Sequence, residues 1–172
     1  MIELKESSAQ LIIDGLKEAG INFVTCLPES LLRPLYTMLD NDPYFEVVYV
    51  TNEGEGASIA AGAWLGGKKP ILIMENSGIR TSVEALSRLG LSYGIPVLML
   101  MCHRGAVGES TYWGIAHGLT MQPILEAVRI PYVMVRKEEE IKKAIRRGIK
   151  HIYSSMYHVA IILSNDITEV EN

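Results

Sequence analysis

Short apolar segments rich in β-branched residues recur along the chain and alternate with stretches in which apolar residues follow a helical spacing. Continuous apolar runs of this length are typical of strands that are covered on both faces, as in parallel sheets. The six runs cover residues 21–27, 45–50, 70–74, 96–102, 131–135 and 158–163. The alternation predicts a doubly wound α/β fold, with a mainly parallel six-stranded sheet and helices on both faces.

The segments between the runs predict helices. Residues 8–19 place apolar side chains on one face, with Ser8 as the expected N-cap and Gly20 as the expected end. Residues 137–153 repeat that spacing and carry a basic opposite face, whereas residues 55–66 and 82–91 are rich in alanine, serine and leucine. No repeat, linker or change of composition divides the chain, so residues 1–172 are predicted to form a single domain.

Composition narrows the functional classes. The 172 residues carry a formal net charge of −4, which argues against a nucleic acid or an anionic membrane as the main partner. No apolar run approaches the roughly 20 residues that span a bilayer, and the first residues lack the layout of a secretory signal. Cys26 and Cys102 lie far apart in apolar segments, which favours two buried free thiols. We therefore expect a cytoplasmic protein without a disulfide framework.

In a doubly wound fold the functional residues gather at the carboxyl ends of the strands. Five loops are expected there, at residues 27–31, 51–56, 75–79, 103–108 and 165–168, and the polar residues and glycines concentrate in the middle three. No GxGxxG follows the first strand and no GxxxxGK[ST] occurs, so neither a Rossmann dinucleotide site nor a P-loop is predicted. A flavodoxin-like nucleotide module is disfavoured because the first strand lacks a phosphate-binding loop.

The loops at residues 27–31 and 51–56 can be interpreted either as ordinary turns and helix starts or as part of a functional site. Glu53 and Glu55 begin a helix, where acidic side chains interact favourably with the helix dipole by about 0.3–1 kcal/mol each. Pro28 fixes the entry to a turn that Ser30 is suited to cap. The residue types alone leave both interpretations open.

The next two loops are open in the same way. Residues 75–78 have a composition that suits a simple turn between a strand and a helix. His103 and Arg104 are consistent with a capping histidine beside a surface arginine. An anion site is the alternative, because a guanidinium carries a permanent planar charge and an imidazole can donate as well.

Four segments in order along the chain resemble a known family. They are Asn52-Glu53 with the small residues up to Gly62, Met74-Glu-Asn-Ser-Gly78, Ser92-Tyr-Gly-Ile-Pro96 and Met101-Cys-His-Arg-Gly105. Together they resemble the pyrimidine-binding (Pyr) domain of thiamine diphosphate enzymes over roughly residues 8–165. The second and fourth segments are similar in particular to the decarboxylases of sulfopyruvate and phosphonopyruvate.

The resemblance implies roles for individual residues. Glu53, nine residues before Gly62, takes the position of the glutamate that contacts the aminopyrimidine ring, whereas Glu55 lacks that separation. A carboxyl group in this position favours the imino tautomer of the pyrimidine, which then removes the C2 proton of the thiazolium. The implied cofactor-binding residues are Pro28, Glu53, Asn76, Ser77 and Gly78, and the implied substrate-binding residues are His103, Arg104 and Glu29.

Two features depart from the family pattern. Glu75 stands where relatives often have glutamine or a smaller residue, so no role is assigned to it. Residues 112–117 include aromatic side chains where relatives tend to have small or polar ones, and His117 is not aligned with a family position. The substrate is therefore left open between sulfopyruvate and phosphonopyruvate or another short 2-keto acid.

The chain lacks the second motif of a thiamine diphosphate enzyme, a Gly-Asp-Gly followed roughly 25–30 residues later by asparagine. The resemblance therefore implies that a β subunit supplies the Mg²⁺ and diphosphate site, and that this chain supplies no metal ligand. The predicted function is the α (Pyr) subunit of a two-chain thiamine diphosphate-dependent 2-keto acid decarboxylase, with sulfopyruvate as the first choice of substrate. Homo-association is expected as well, and a non-catalytic Pyr-like assembly partner is the alternative from another class.

Overall fold

The computed structural model describes residues 2–170, and the side chains of residues 3–168. Six parallel strands form the central sheet in the order β3-β2-β4-β5-β7-β6. They are β2 (Phe23–Cys26), β3 (Glu46–Tyr49), β4 (Pro70–Glu75), β5 (Leu98–Cys102), β6 (Tyr132–Val135) and β7 (Val159–Leu163). Each lies within or overlaps one of the predicted runs, so the doubly wound α/β fold is confirmed.

Three helices cover each face of this sheet. One layer contains α1 (Glu6–Glu18), α2 (Arg33–Asn41) and α6 (Ile141–Ser155). The other contains α3 (Glu53–Leu65), α4 (Gly78–Leu86) and α5 (Tyr112–Ala127), and a π-helical stretch, Ser87–Ser92, continues α4.

Alternation along the central strands supplies both cores. In β4, Ile71 and Ile73 pack against the α1–α2–α6 layer, while Leu72 and Met74 pack against the α3–α4–α5 layer. All four side chains are fully buried, because parallel strands in a doubly wound fold are covered on both faces. Cys26 and Cys102 are buried free thiols, as predicted.

The predicted cap of the first helix is wrong. Ser8 does not cap α1: the helix begins at Glu6 after Lys5, and Ser8 lies buried inside it. Its hydroxyl lies 2.7 Å from a carboxylate oxygen of Glu138, a partner 130 residues away that local pattern does not reveal. The sequence also gave no sign of a small antiparallel ribbon, in which β1 (Ile2–Leu4) pairs with β8 (Thr168–Val170).

The strand order places the crevice of the fold between β2 and β4. The chain proceeds from β2 outward to β3, and then returns across β2 to build β4 and β5 on the other side. Ligands of open α/β sheets bind at such a switch point, beyond the carboxyl ends of the strands. No helix within residues 2–170 is both long and apolar enough to cross a membrane.

Candidate functional site

Glu53 is the first residue of α3 and follows the last residue of β3, Tyr49, after three intervening residues. Its side chain is 7% exposed, which is unusual for a carboxylate. Oε2 accepts a hydrogen bond of 2.6 Å from Oγ1 of Thr81, while Oε1 has no hydrogen-bond partner within residues 2–170. Glu55, two residues later, is exposed and instead accepts hydrogen bonds from the backbone and hydroxyl of Thr51. The two acids therefore differ sharply, and only Glu53 lies in a protected site.

Gly78 shapes the space beside Glu53. A Cβ atom on Gly78 would lie 2.5 Å from Cγ of Glu53 and 2.8 Å from its Cδ, closer than real side chains approach. Glycine at this position lets the start of α4 pack directly on the carboxylate side chain. Gly62, the other glycine of the resemblance, is open: a Cβ there would meet nothing within 4 Å.

Asn76 joins the ends of β4 and β5. The side chain is fully buried, and its Nδ2 donates to the backbone oxygen of Arg104 at 2.9 Å. In return, the backbone nitrogen of Arg104 donates to Oδ1 of Asn76 at 3.1 Å. Both ends of the amide are therefore used to hold the Arg104 loop. Ser77 is half-buried, and its hydroxyl makes no hydrogen bond to another described residue.

Arg104 lies in a cluster of charged side chains that are between 11% and 16% exposed. Its Nε donates to Oε2 of Glu75 at 3.1 Å, and its Nη2 donates to the hydroxyl of Ser30 at 3.0 Å. Nη2 also lies 3.9 Å from a carboxylate oxygen of Glu29. Nη1 has no partner within the described part of the chain, so one edge of the guanidinium is available for an anion.

Glu29, rather than Ser30, caps the turn after β2, so the predicted Ser30 cap is wrong. The two carboxylate oxygens of Glu29 accept hydrogen bonds from the backbone nitrogens of Leu31 and Leu32, at 2.8 and 2.5 Å. Burial raises the pKa of Glu29 despite these hydrogen bonds, which act in the opposite direction. Pro28, next to it, lines an open cleft of about 400 Å³ between this turn and the edge of the sheet.

His103 lies at the end of β5 but is not part of the Arg104 cluster. Its backbone nitrogen donates to the carbonyl of Leu163, and its ring makes no hydrogen bond to another described residue. Burial and the nearby charge of Arg136 lower the pKa of the imidazole, against the opposing effect of Glu109. The two residues expected to share the substrate anion thus have different surroundings.

Two residues missed by the sequence reasoning complete the cluster. Oε1 of Glu75, the oxygen not used by Arg104, lies 2.8 Å from Nδ1 of His117. His117 comes from α5, 42 positions further along the chain, and its side chain is 12% exposed. A contact over this separation leaves no local signal. The weak hint in the sequence was that a glutamate and a histidine both stood where the family pattern offered no explanation.

The position of the aromatic segment 112–117, at the start of α5, depends on glycines. Gly105, with φ +86°, packs against the backbone of α5, where an added Cβ would lie 2.3 Å from the Gly114 oxygen and 2.5 Å from the Gly118 nitrogen. Glu109 holds the loop by accepting hydrogen bonds from the backbones of Gly105 and Thr111. Because the Gly105 loop packs so closely on α5, one side of the helix faces the site. The aromatic side chains at its start are exposed to solvent: Tyr112 is 86% and Trp113 51% exposed.

The four neighbouring strands β3, β2, β4 and β5 therefore bring Glu53, the Glu29 turn, residues 75–78 and Arg104 to one edge of the sheet. One end of this edge offers a buried carboxylate with a free oxygen. The other offers a guanidinium with a free edge, flanked by carboxylates and an imidazole. Within residues 2–170, no group of three or more His, Cys, Asp or Glu side chains is placed to bind a metal ion.

A comparison with solved structures supports the fold. The 2-oxoglutarate:ferredoxin oxidoreductase of Magnetococcus marinus matches all of this chain and 31% of its own, with a TM-score of 0.72 and 13% sequence identity. At 13% identity this match supports the fold alone. No protein-family model matches the chain.

Curated proteins give a closer relationship. The chain is 32% identical over 157 residues to sulfopyruvate decarboxylase subunit alpha of Methanococcus maripaludis, covering 91% of this chain and 94% of the relative. It is 37% identical over 142 residues to the subunit of the same name from Methanothermobacter thermautotrophicus, covering 83% and 86%. A phosphonopyruvate decarboxylase of Streptomyces viridochromogenes is 38% identical, but over only 57% of this chain and 25% of its own. The chain belongs to the family of sulfopyruvate decarboxylase alpha subunits.

Proposed function

We propose that this chain is the α (Pyr) subunit of a two-chain thiamine diphosphate-dependent decarboxylase that converts 3-sulfopyruvate to sulfoacetaldehyde and carbon dioxide. Its relatives over nearly their whole length are named as alpha subunits of sulfopyruvate decarboxylase. In this proposal residues 1–172 form one Pyr domain, and a β subunit completes the site.

The observation that carries the proposal is the environment of Glu53. The carboxylate is buried, Thr81 holds one of its oxygens, and the other oxygen has no partner among the described residues. A buried carboxylate with one free oxygen is suited to share a proton with a weakly basic ring nitrogen. We assign to Glu53 the contact with the aminopyrimidine of the cofactor. Gly78 supports that assignment, because any larger residue would displace the glutamate.

Thiamine diphosphate supplies a carbon nucleophile and an electron sink for the loss of carbon dioxide from a 2-keto acid. Around Glu53, this chain would contribute the groove: Pro28, Ser77 and Gly78 at the strand ends, with Asn76 acting indirectly by holding the Arg104 loop. The half-buried Ser77 hydroxyl, without a partner in the described chain, fits a polar contact to the ring. We assign the diphosphate and its Mg²⁺ to the β subunit.

Arg104 is the candidate for the anionic end of the substrate. Sulfopyruvate carries a sulfonate beside its carboxylate, and Nη1 of Arg104 is available for either oxyanion. Glu29 would act on the substrate through Arg104, since its own oxygens hold the turn. His103 remains a proposed contact for the second anion.

The exposed side of α5 fits a contact with another subunit. Trp113, Ile115 and Leu119 are 51%, 43% and 71% exposed, and Glu126 is the only acidic or basic residue in the helix apart from His117. Apolar surface of this kind usually marks an interaction site. Because α5 packs against the Arg104 loop, such a contact would lie next to the proposed site, and both the β subunit and a second α subunit are candidates.

The test is carbon dioxide release from sulfopyruvate in the presence of thiamine diphosphate and Mg²⁺. This chain alone, the β subunit alone and the assembled pair are compared, with phosphonopyruvate as a second substrate. We expect turnover only by the pair and a preference for sulfopyruvate. A preference for phosphonopyruvate would instead support the alternative suggested by the partial match to the Streptomyces protein.

Glu53→Gln and Glu55→Gln form a matched pair of variants, since each removes one carboxylate from the first turn of α3. We expect Glu53→Gln to lower turnover by about 10²–10⁴-fold, the usual contribution of a proton-transfer group, and Glu55→Gln to leave it nearly unchanged. Turnover by the chain alone would contradict the shared site. Equal turnover by the pairs that contain wild type, Glu53→Gln and Glu55→Gln would mean that this chain is a non-catalytic assembly partner.

A further inference from the structure

Glu75 lies between two nitrogen atoms and contacts each with a different oxygen. Oε2 accepts a hydrogen bond of 3.1 Å from Nε of Arg104, and Oε1 lies 2.8 Å from Nδ1 of His117. Nδ1 is closed off from solvent, and its N–H direction is not yet aligned with the oxygen. Poorly aligned contacts of this kind in substrate-free enzymes often tighten when the substrate binds.

The donor and acceptor properties of the three groups fix the proton positions. Arginine is permanently protonated, so its Nε–H can only donate to Glu75. An ionised carboxylate can only accept, which makes Nδ1 of His117 the nitrogen that carries the proton. Nε2 then bears the lone pair. It makes no hydrogen bond to any described residue, so it is free to exchange a proton with a ligand or with water.

Other titratable groups at this end of the edge are less suited to that exchange. Both oxygens of Glu29 are engaged by the backbone nitrogens of Leu31 and Leu32. Cys102 is fully buried, and desolvation raises the pKa of its thiol well above the ordinary value. The His103 ring lies outside the cluster, and no carboxylate among the described residues forms a hydrogen bond with it that would fix its tautomer. His117 is thus the group in the cluster that pairs one ring nitrogen with a nearby carboxylate and leaves the other free of hydrogen bonds to the described residues.

We propose that Glu75 and His117 form a proton-transfer dyad at the substrate end of this site, with Glu75 as the positioning residue that also holds Arg104. The inference rests on the proposed function. When the aldehyde leaves, its C=O bond would form as the bond to the cofactor carbon breaks. The electron pair of the broken bond would stay on that carbon, and one hydroxyl proton would have to be removed. Nε2 of His117 takes up that proton, His117 becomes an imidazolium held by Glu75, and the proton then passes to water, which restores the Nδ1–H form.

Glu75→Gln separates positioning from mere structural support. The glutamine oxygen can still accept from Nε of Arg104, but its amide nitrogen can only donate to Nδ1 of His117. His117 must then carry its proton on Nε2 and loses the free lone pair. We expect a fall in kcat of about tenfold to a hundredfold, with KM for sulfopyruvate within about twofold of wild type. Glu84→Gln is the matched control, because Glu84 is an exposed carboxylate whose one ion pair among the described residues is with Arg88.

Two further measurements do not depend on that kinetic result. In the full chain labelled with ¹⁵N-histidine, the His117 signal, assigned with His117→Gln, should report Nδ1–H in wild type and Nε2–H in Glu75→Gln. In the assembled enzyme, added imidazole should restore part of the turnover lost in His117→Ala, which a structural defect would not permit.

The dyad would be overturned by an Nε2–H tautomer in the wild-type chain, or by a Glu75→Gln variant that raises KM without lowering kcat. The second result would mean that Glu75 only holds Arg104. If the wild-type pair turned over neither keto acid, the proposed function would fail, while the tautomer measurement would still decide the dyad.

Discussion

Gly78 and Glu53 touch so closely that no side chain fits between them. A Cβ on Gly78 would lie 2.5 Å from Cγ of Glu53 and 2.8 Å from Sδ of Met74. The contact joins the start of α4 to the first residue of α3, although β4 separates the two helices along the chain. The position of the buried carboxylate thus depends on a glycine 25 residues away.

Gly78→Ala tests this dependence. Because the added methyl group has no free space, we expect a loss of about 1–3 kcal/mol in the free energy of unfolding and a fall in turnover of at least about tenfold. Chemical denaturation of the chain and carbon dioxide release by the assembled pair give the two values. Gly62→Ala is the control: with open space around it in a helix, it should stabilise the chain by about 0.5–1 kcal/mol.

Thr81→Val removes the hydroxyl that donates to Glu53 while keeping the shape of the side chain. The hydrogen bond of 2.6 Å holds one oxygen of the carboxylate, so its loss should lower turnover by roughly tenfold. Thr81→Ser retains the hydroxyl and should keep most of the activity. Equal turnover by the valine and serine variants would show that Thr81 does not orient Glu53.

Asn76→Ala opens the connection between the ends of β4 and β5. The change leaves the backbone N–H and carbonyl of Arg104 without their partners, at a position that is fully buried. We expect a loss of about 2–3 kcal/mol in the free energy of unfolding, measured by urea denaturation. Ser77→Ala, which removes a hydroxyl without a partner in the described chain, should change stability by less than about 0.5 kcal/mol.

The buried ring of His158 should make the free energy of unfolding depend on pH. The buried ring accepts from the Val97 backbone at Nδ1 and faces the Leu86 carbonyl with Nε2, and burial lowers its pKa. In the unfolded chain the imidazole takes a proton near pH 6.5, but the native chain stays neutral at that pH. The unfolded state therefore binds more protons below about pH 6.5, and stability falls there by up to about 1.4 kcal/mol per pH unit.

Denaturation between pH 7.5 and 5.5 measures this effect. His103 adds a change of the same sign, because its pKa is also lowered. His158→Gln should be less stable at pH 7.5 and should show a flatter pH profile than wild type. Parallel profiles for the variant and wild type would contradict the assignment to His158.

The fold could be read from the sequence because its signals are local. Each central strand is a continuous apolar run, and the helices between them have recognisable spacing. The ribbon of β1 and β8 was missed because each strand has three residues and the pairing joins opposite ends of the chain. The prediction of Ser8 as an N-cap was wrong for a related reason, since the serine hydroxyl contacts the distant Glu138 in the folded chain.

The candidate site was only partly accessible in the same way. The strand ends fixed which loops meet, so Glu53, residues 75–78 and Arg104 were correctly expected at one edge. What each side chain does there depends on partners from distant segments. No role was expected for Glu75, because its contact with His117 joins distant parts of the chain. The Asn76 side chain holds the backbone of Arg104 and is not available as an unpaired amide.

The turn at residues 75–78 serves both ends of the site at once. Glu75 and Asn76 hold Arg104, while Gly78 sets the space for Glu53. Evolution cannot adjust one end through this turn without disturbing the other. A change of substrate within the family is therefore expected to arise in the neighbouring loops, such as the Ser30 turn or the start of α5. Directed evolution of new keto acid specificity should start there and leave the turn intact.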